Sequence, residues 1–247
     1  MSTAVASGRC YGVGVGPGDP ELMTVKAMRV VRSSPVVAYF SAAGRSSNAR
    51  QVVSDFLTGA QEELHLVYPV TTEDLPKGQD YEALMAQFYD ASAERVAEAL
   101  GRGHDVAVLC EGDPLFHGSF MYLHNRLSTR FPTEVVPGVP SILAGSAVLG
   151  APLVCLDEVL SVLSGTLSPV ELDARLAEAD AAVIMKVGRN LEKVRQAVIR
   201  AGLLDRAWYV ERATMAGERV MPLDRVDPAS APYFSMVVIP SSLAPTR

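Results

Sequence analysis

Gly12-Val13-Gly14-Val15-Gly16-Pro17-Gly18-Asp19-Pro20 is the stretch from which the rest of the chain is read. An apolar run from Arg9 to Val15 enters it like a buried strand. A helical pattern leaves it, with Leu22, Val25, Met28 and Val31 spaced to share one face. Between the two the chain must turn sharply, and the glycines admit positive φ and close approach of a ligand to bare backbone. Asp19 suits an N-cap, Pro20 the first helical position and Glu21 the positive end of a helix. The stretch therefore reads as strand, loop and helix, with a glycine shelf at a strand's C-terminal end. In open α/β sheets ligands settle there.

The dinucleotide fingerprint needs G-x-G-x-x-G and an acidic residue about 20 positions on, at the end of the second strand. Here the spacing is G-x-G-x-G, and no Asp or Glu occurs from Leu22 to Ser54. The second strand, Val36-Val37-Ala38-Tyr39-Phe40, ends without a carboxylate. Asp19 and Glu21 would also repel a pyrophosphate. These features argue against a dinucleotide site and leave a shelf suited to a ligand that is not anionic there.

With 247 residues, 49% hydrophobic and 20% charged, the composition is that of a soluble globular chain of one large or two small domains. No apolar run reaches the roughly 18 residues of a membrane span, and no basic-then-apolar leader opens the sequence. Cys10, Cys110 and Cys155 are scattered, which suits reduced thiols in a cytoplasmic protein. The four histidines show no metal-ligand spacing, so no metal site is expected. A net charge of −6 gives no support for nucleic-acid binding. The acid-free stretch carries Lys26, Arg29 and Arg32 at helical spacing, then Arg45 and Arg50 in and beside a Ser/Asn-rich loop. Those last two read either as a solvated loop or as contacts to a substrate bearing carboxylates.

Apolar strands are expected at 9–15, 36–40, 63–68, 105–110 and 133–136, with helices at about 20–33, 46–57, 80–102 and 118–130. Such alternation predicts a mostly parallel sheet with helices on its faces. Thr71 to Gln79 reads as a surface loop. The helix over 81–100 is expected to turn Leu84, Phe88, Ala91, Val96 and Leu100 inward. A second Gly-Asp-Pro turn, Glu111-Gly112-Asp113-Pro114, follows the fourth strand, and Val136-Pro137-Gly138-Val139-Pro140-Ser141 follows the fifth. A β-turn alone accounts for either Gly-Asp-Pro, but two of them directly after apolar strands form a pattern.

The apolar helix from Ile142 to Leu149 ends at Gly150-Ala151-Pro152, which is taken as the boundary between domains at 1–150 and 151–247. Beyond it, strand-like runs at 158–164, 181–186, 207–211, 218–223 and 233–239, with helices only near 169–178 and 190–201, predict a mixed sheet. Met185 reads first as core, and Glu211 with Arg212 as a surface pair.

In this order the motifs resemble the tetrapyrrole methylase family, from Gly12 to about Pro240. The resemblance rests on Val13-Gly14-Val15-Gly16-Pro17-Gly18-Asp19-Pro20, Gly112-Asp113-Pro114, Val136-Pro137-Gly138 with Ser141, Met185 and Glu211-Arg212-Ala213-Thr214. It implies two α/β domains with S-adenosylmethionine in a trough between them and S-adenosylhomocysteine as product. It also implies a homodimer. The residues it implies at the cofactor are Pro17, Glu111, Gly112, Asp113, Phe116, Ser141, Ile142, Met185, Ala213 and Thr214. Pro140 departs from the Thr or Ser of many relatives, which removes a hydroxyl contact and leaves Ser141 and the Ile142 backbone.

Longer strings, among them Gly118-Ser119-Phe120-Met121-Tyr122-Leu123 and Met185-Lys186-Val187-Gly188-Arg189-Asn190, are similar to the branch methylating carbon 20 of precorrin-2 in cobalamin synthesis. A cobalt-loaded substrate, another corrin-pathway substrate and a non-catalytic binding role remain alternatives. Arg45 and Arg50 are then candidates for the substrate's carboxylate arms. Glu111 and His117 are candidates, by position alone, to take up the proton that the methylated carbon loses.

Overall fold

The computed structural model describes residues 7–71 and 80–243, so most of the loop expected at Thr71–Gln79 lies outside the described residues. The chain divides into two compact units, Met1–Pro140 and Ser141–Arg247.

In the first unit β1 (Cys10–Gly14), β2 (Val36–Ala42), β3 (Glu62–Tyr68), β4 (Val106–Cys110) and β5 (Thr133–Val136) form one sheet in the order β3-β2-β4-β1-β5. Every neighbouring pair runs parallel. Helices α1 (Val25–Ser33), α2 (Asn48–Val52), α3 (Tyr81–Gly101) and α4 (Phe120–Leu127) lie between the strands in sequence. All five residues of β4 are buried, as expected of a central strand covered on both faces. Its alternate side chains go to opposite cores. Val106, Val108 and Cys110 join Val96, Leu100, Phe120 and Leu123, whereas Ala107 and Leu109 join Ala27, Val30, Val31 and Val52.

The first helix departs from expectation in phase. Pro20–Leu22 is a 3-10 turn capped by Asp19, whose Oδ1 accepts the Glu21 amide at 2.8 Å. The α-helix starts afresh at Val25, capped by Thr24, whose Oγ1 accepts the Ala27 amide at 3.1 Å. A phase counted from Leu22 does not carry across that break. The buried residues are Ala27, Val30 and Val31, and Val25 is 78% exposed. In α3 Val96 and Leu100 are buried and Phe88 packs against the core as expected, with Met85, Tyr89 and Ala93 buried beside them, whereas Ala91 is exposed.

The second unit holds α5 (Ser141–Leu149), β6 (Leu160–Ser164), α6 (Pro169–Ala177), β7 (Ala181–Met185) and α7 (Leu191–Arg200). It continues with β8 (Trp208–Glu211), β9 (Arg219–Pro222) and β10 (Ser235–Ile239). The sheet order is β6-β7-β10-β8-β9, with β6 and β7 parallel and the other pairs antiparallel. Ser168 and Glu171 close a capping box at the start of α6. Leu172, Leu176, Leu191, Val194 and Val198 pack onto Ile184, Tyr209 and Val237. Helix α5, placed before the expected boundary at 150, falls within the second unit. Its Gly145 lies so close to β10 that a Cβ there would stand 2.8 Å from the Met236 sulfur. No helix of the described residues is long and apolar enough to cross a membrane.

Candidate cofactor and substrate site

In the first unit the C-terminal ends of the adjacent strands β4, β1 and β5 bring the three singled-out turns together. The Val15 amide donates to the Cys110 carbonyl at 2.9 Å. Gly16 and Gly112 form an isolated antiparallel bridge, with the Gly112 amide 2.8 Å from the Gly16 carbonyl. Both are left-handed, at φ +82° and +65°, where glycine carries no Cβ penalty. Asp113 fastens the second turn to the third: Oδ1 accepts the Leu115 amide at 2.9 Å and Oδ2 the Gly138 amide at 3.0 Å. Two glycines are explained by this fastening and not by a ligand. A Cβ on Gly14 would lie 2.5 Å from the Gly138 nitrogen, and one on Gly138 would strike the Gly112 carbonyl oxygen. The bare backbone of the shelf is in part used for chain-to-chain approach.

Around this fastening sit the first group of expected site residues. Pro17, Gly112, Asp113 and Phe116 are half-buried. Glu111 keeps access to solvent, yet its carboxyl is held by the Asn48 side chain and the Ala49 amide at the start of α2. Desolvation by the surrounding protein raises its pKa above the ordinary carboxylate value, against those two hydrogen bonds, which lower it. His117 is exposed at φ +56°, with its ring edge-on to Phe116 at 5.1 Å. No lysine or arginine occurs between Val15 and Thr24, Cys110 and Ser119, or Val136 and Ser141. The charges available at these turns are carboxylates.

The two arginines differ. Arg50 makes a bidentate pair with Glu63 on β3, at 2.8 and 2.9 Å. That hydrogen bonding holds the Glu63 carboxyl below its ordinary range, with Tyr39 adding to it. Arg45 lies exposed in the turn after β2 and has no carboxylate partner among the described residues.

The second group of expected residues lies in the second unit. Strands β7 and β8 both run antiparallel to β10, so their C-terminal ends share one edge of the sheet. Met185 and Thr214, half-buried, and Ala213, buried, belong to that edge. Ser141 and Ile142 open α5, the first half-buried and the second buried. Glu211 is not the surface carboxylate expected of a surface pair: it is 3% exposed. Its Oε2 accepts the Tyr209 hydroxyl at 2.9 Å, Arg212 Nη1 reaches Oε1 at 3.2 Å, and Arg219 stands 3.6 Å away on β9. Burial and the Glu211 carboxylate push the Tyr209 hydroxyl up to about 12. Along this edge Lys186, Arg212 and Thr214 are left-handed without being glycine, at φ +55°, +49° and +64°. Such backbone is costly for residues with a Cβ and persists only where the surroundings enforce it. No glycine marks these positions, so nothing local in the sequence discloses them.

Two α/β units, one all-parallel with Gly-Asp-Pro turns at its strand ends and one mixed, define the class to which the chain is now referred. Residues 9–227 match the family described as Tetrapyrrole (Corrin/Porphyrin) Methylases, and the chain belongs to that family. It is 52% identical to a Sinorhizobium protein named precorrin-2 C(20)-methyltransferase, over 96% of this chain and 97% of that one. It is also 52% identical to the cobalamin biosynthesis protein CobIJ of Mycobacterium tuberculosis, over 95% of this chain. The chain spans only 46% of that longer protein. The uroporphyrin-III C-methyltransferase of Thermus thermophilus, solved with S-adenyl homocysteine, superposes with a TM-score of 0.63 at 26% identity. That likeness covers 94% of this chain and 97% of the Thermus chain.

Proposed function

We propose that the chain is an S-adenosylmethionine-dependent methyltransferase that methylates carbon 20 of precorrin-2, giving precorrin-3A in cobalamin biosynthesis. The observation that carries this reading is the 52% identity to the Sinorhizobium C(20)-methyltransferase across essentially both chains. The charge set of the turns supports the cofactor. S-adenosylmethionine presents a sulfonium and an ammonium and no phosphate, which suits turns bearing Asp19 and Glu111 and no basic side chain other than His117. When bound it supplies a methyl group on a positively charged sulfur.

The chain's own contribution is then chiefly alignment and exclusion of water, which together supply a large part of such an acceleration. Pro17, Gly112, Phe116, Ser141, Ile142, Met185, Ala213 and Thr214 would hold the cofactor. Asp113 would act through the backbone, by fixing the Gly112 and Gly138 turns on which the site is built. After the methyl is joined, carbon 20 must lose its proton. Glu111 and His117 are the two candidates for that task, and desolvation makes Glu111 a better acceptor than an ordinary carboxylate. Of the two arginines, Arg45 is free for a substrate carboxylate, whereas Arg50 would have to leave Glu63 first. The homodimer implied by the family and the cytoplasmic setting read from the scattered cysteines belong to the same proposal, and sedimentation of the purified protein reads the first.

The test is anaerobic incubation with S-adenosylmethionine and either metal-free precorrin-2 or its cobalt complex, with the product read by mass spectrometry and NMR. One new methyl at carbon 20 of the metal-free compound is expected. Methylation of the cobalt complex alone would shift the assignment to the cobalt-loaded substrate. No methyl on either would sink the substrate assignment.

A further inference from the structure

The end of β7 carries a feature that the reading above does not use. Lys186 follows Met185 directly, is exposed, and stands at φ +55°. Its backbone is fixed in that state from two sides. The Lys186 carbonyl accepts the Asn190 side-chain amide at 3.2 Å, and the Gly165 amide donates to the Met185 carbonyl at 2.7 Å. Gly165 must be glycine for this approach, since a Cβ there would come within 2.9 Å of the Lys186 carbonyl oxygen. The surroundings thus enforce a backbone at residue 186 that glycine would adopt without strain. A lysine stands there instead.

Its ammonium has no partner among the described residues. Arg212, another cation on the same edge, is also left-handed, but its guanidinium is tied to the buried Glu211, which Arg219 also approaches. Glu218, in the β8–β9 turn, accepts the Thr214 amide at 2.7 Å. Lys186 is therefore an uncommitted positive charge on a strained backbone, on the sheet edge that carries Met185, Ala213 and Thr214. A purely solvated lysine requires none of this, because most backbone conformations on a protein surface display an ammonium equally well.

We propose that Lys186 is a specificity-determining residue that takes a carboxylate arm of the tetrapyrrole substrate. This rests on the tetrapyrrole reading of the preceding section. The role is electrostatic: the ammonium pairs with a carboxylate of the ligand, and the fixed backbone presents that charge at the sheet edge.

The experiment compares the full-length protein with Lys186→Gly, Lys186→Met and Lys186→Arg by four readouts. These are melting temperature, S-adenosylhomocysteine affinity by calorimetry, uroporphyrin affinity by fluorescence quenching, and KM and kcat for precorrin-2. Uroporphyrin serves as a stable polycarboxylate tetrapyrrole. For Lys186→Gly, which relieves the left-handed strain, the melting temperature is expected to hold or rise. Its uroporphyrin affinity is expected to fall about tenfold or more. KM for precorrin-2 should rise by a similar factor with a smaller change in kcat, and S-adenosylhomocysteine affinity should stay unchanged. Lys186→Met should behave alike, and Lys186→Arg should recover most of the binding.

A wild-type protein that binds and methylates tetrapyrrole, beside a Lys186→Gly variant with the same uroporphyrin affinity and KM, overturns the assignment. A loss confined to S-adenosylhomocysteine affinity overturns it too, since the lysine would then serve the cofactor. If the wild type neither binds uroporphyrin nor methylates precorrin-2, the tetrapyrrole reading itself has failed, and this role fails with it.

Discussion

Two strand-end edges carry the residues singled out in this protein, and they are built on opposite terms. At the edge formed by β1, β4 and β5, left-handed backbone within the fastened turns is supplied by Gly16 and Gly112, with His117 beyond them, and the turns are joined by the Gly16–Gly112 bridge and the Asp113 carboxylate. At the edge formed by β7 and β8 it is supplied by Lys186, Arg212 and Thr214, each with a full side chain. Where chain must lie against chain, a Cβ is excluded and glycine is required. Where a side chain must be shown, the backbone strain is tolerated and held by neighbours such as Gly165, Asn190 and the Phe234 carbonyl, which accepts the Arg212 amide at 2.8 Å. Close chain approach at the first edge excludes a side chain at Gly14 and Gly138, whereas at the second edge Lys186, Arg212 and Thr214 each keep one.

The sharpest way to break this contrast is Gly138→Ala. The added Cβ meets the Gly112 carbonyl oxygen and the Gly14 backbone, neither of which can rotate away. A loss of about 3 kcal/mol is expected, as for overpacking at an unyielding site. Thermal denaturation would register it as a fall of roughly 10 °C for a chain of this size. An unchanged melting temperature would mean that the three turns are not fastened as described.

Next in size is Glu211→Ala on the second edge. It leaves the Tyr209 hydroxyl without its acceptor and two guanidinium groups without their carboxylate. About 2 kcal/mol is expected from the lost charge-assisted bonds, read by denaturant unfolding. Equal stability in the variant would return Glu211 to the status of a surface residue.

Asp113→Asn is the milder test of the first edge. One carboxylate oxygen becomes an amide that cannot accept, so one of the two turn-fastening bonds is lost, at a cost of about 1 kcal/mol. Hydrogen exchange at the Leu115 and Gly138 amides should show which turn opens.

The smallest effect is expected at Glu111, and there the sign reverses. A carboxyl with a raised folded-state pKa favours the fold at pH below its unfolded value near 4.5, and that contribution is lost as pH rises through the folded value. At neutral pH the charged form is therefore a burden to the fold. Glu111→Gln is expected to raise the melting temperature slightly at pH 7, with solvent screening keeping the gain small, and to leave it unchanged near pH 4. If Glu111 is the proton acceptor, the same variant should lose methyl transfer while still binding S-adenosylhomocysteine. A variant less stable at pH 7 than the wild type would remove the physical basis for that choice.

Much of this was legible without the fold. Each of the ten strands overlaps a run expected from the sequence, and Gly-Asp-Pro marks two of the three fastened turns. The phase of α1 was not, because Asp19 and Thr24 are both good caps and only the structure shows that each begins its own helical segment. The partner of Arg50 was not, because Arg50 lies on α2 and Glu63 on β3, and the two meet only once the helix packs beside the sheet. The burial of Glu211 was not, since a carboxylate next to an arginine reads the same whether it faces solvent or core.

By itself the sequence determined the order of elements, the division into a parallel and a mixed sheet, the glycine turns and the family. All of these follow from local periodicity, turn chemistry and short strings of residues. The tertiary structure alone decided the strand order β3-β2-β4-β1-β5, the fastening of Asp113 to Gly138, the pairing of Arg50 and the left-handed state of Lys186. Each of those depends on groups distant in the chain meeting in space, where sterics and charge act between residues that no local pattern connects.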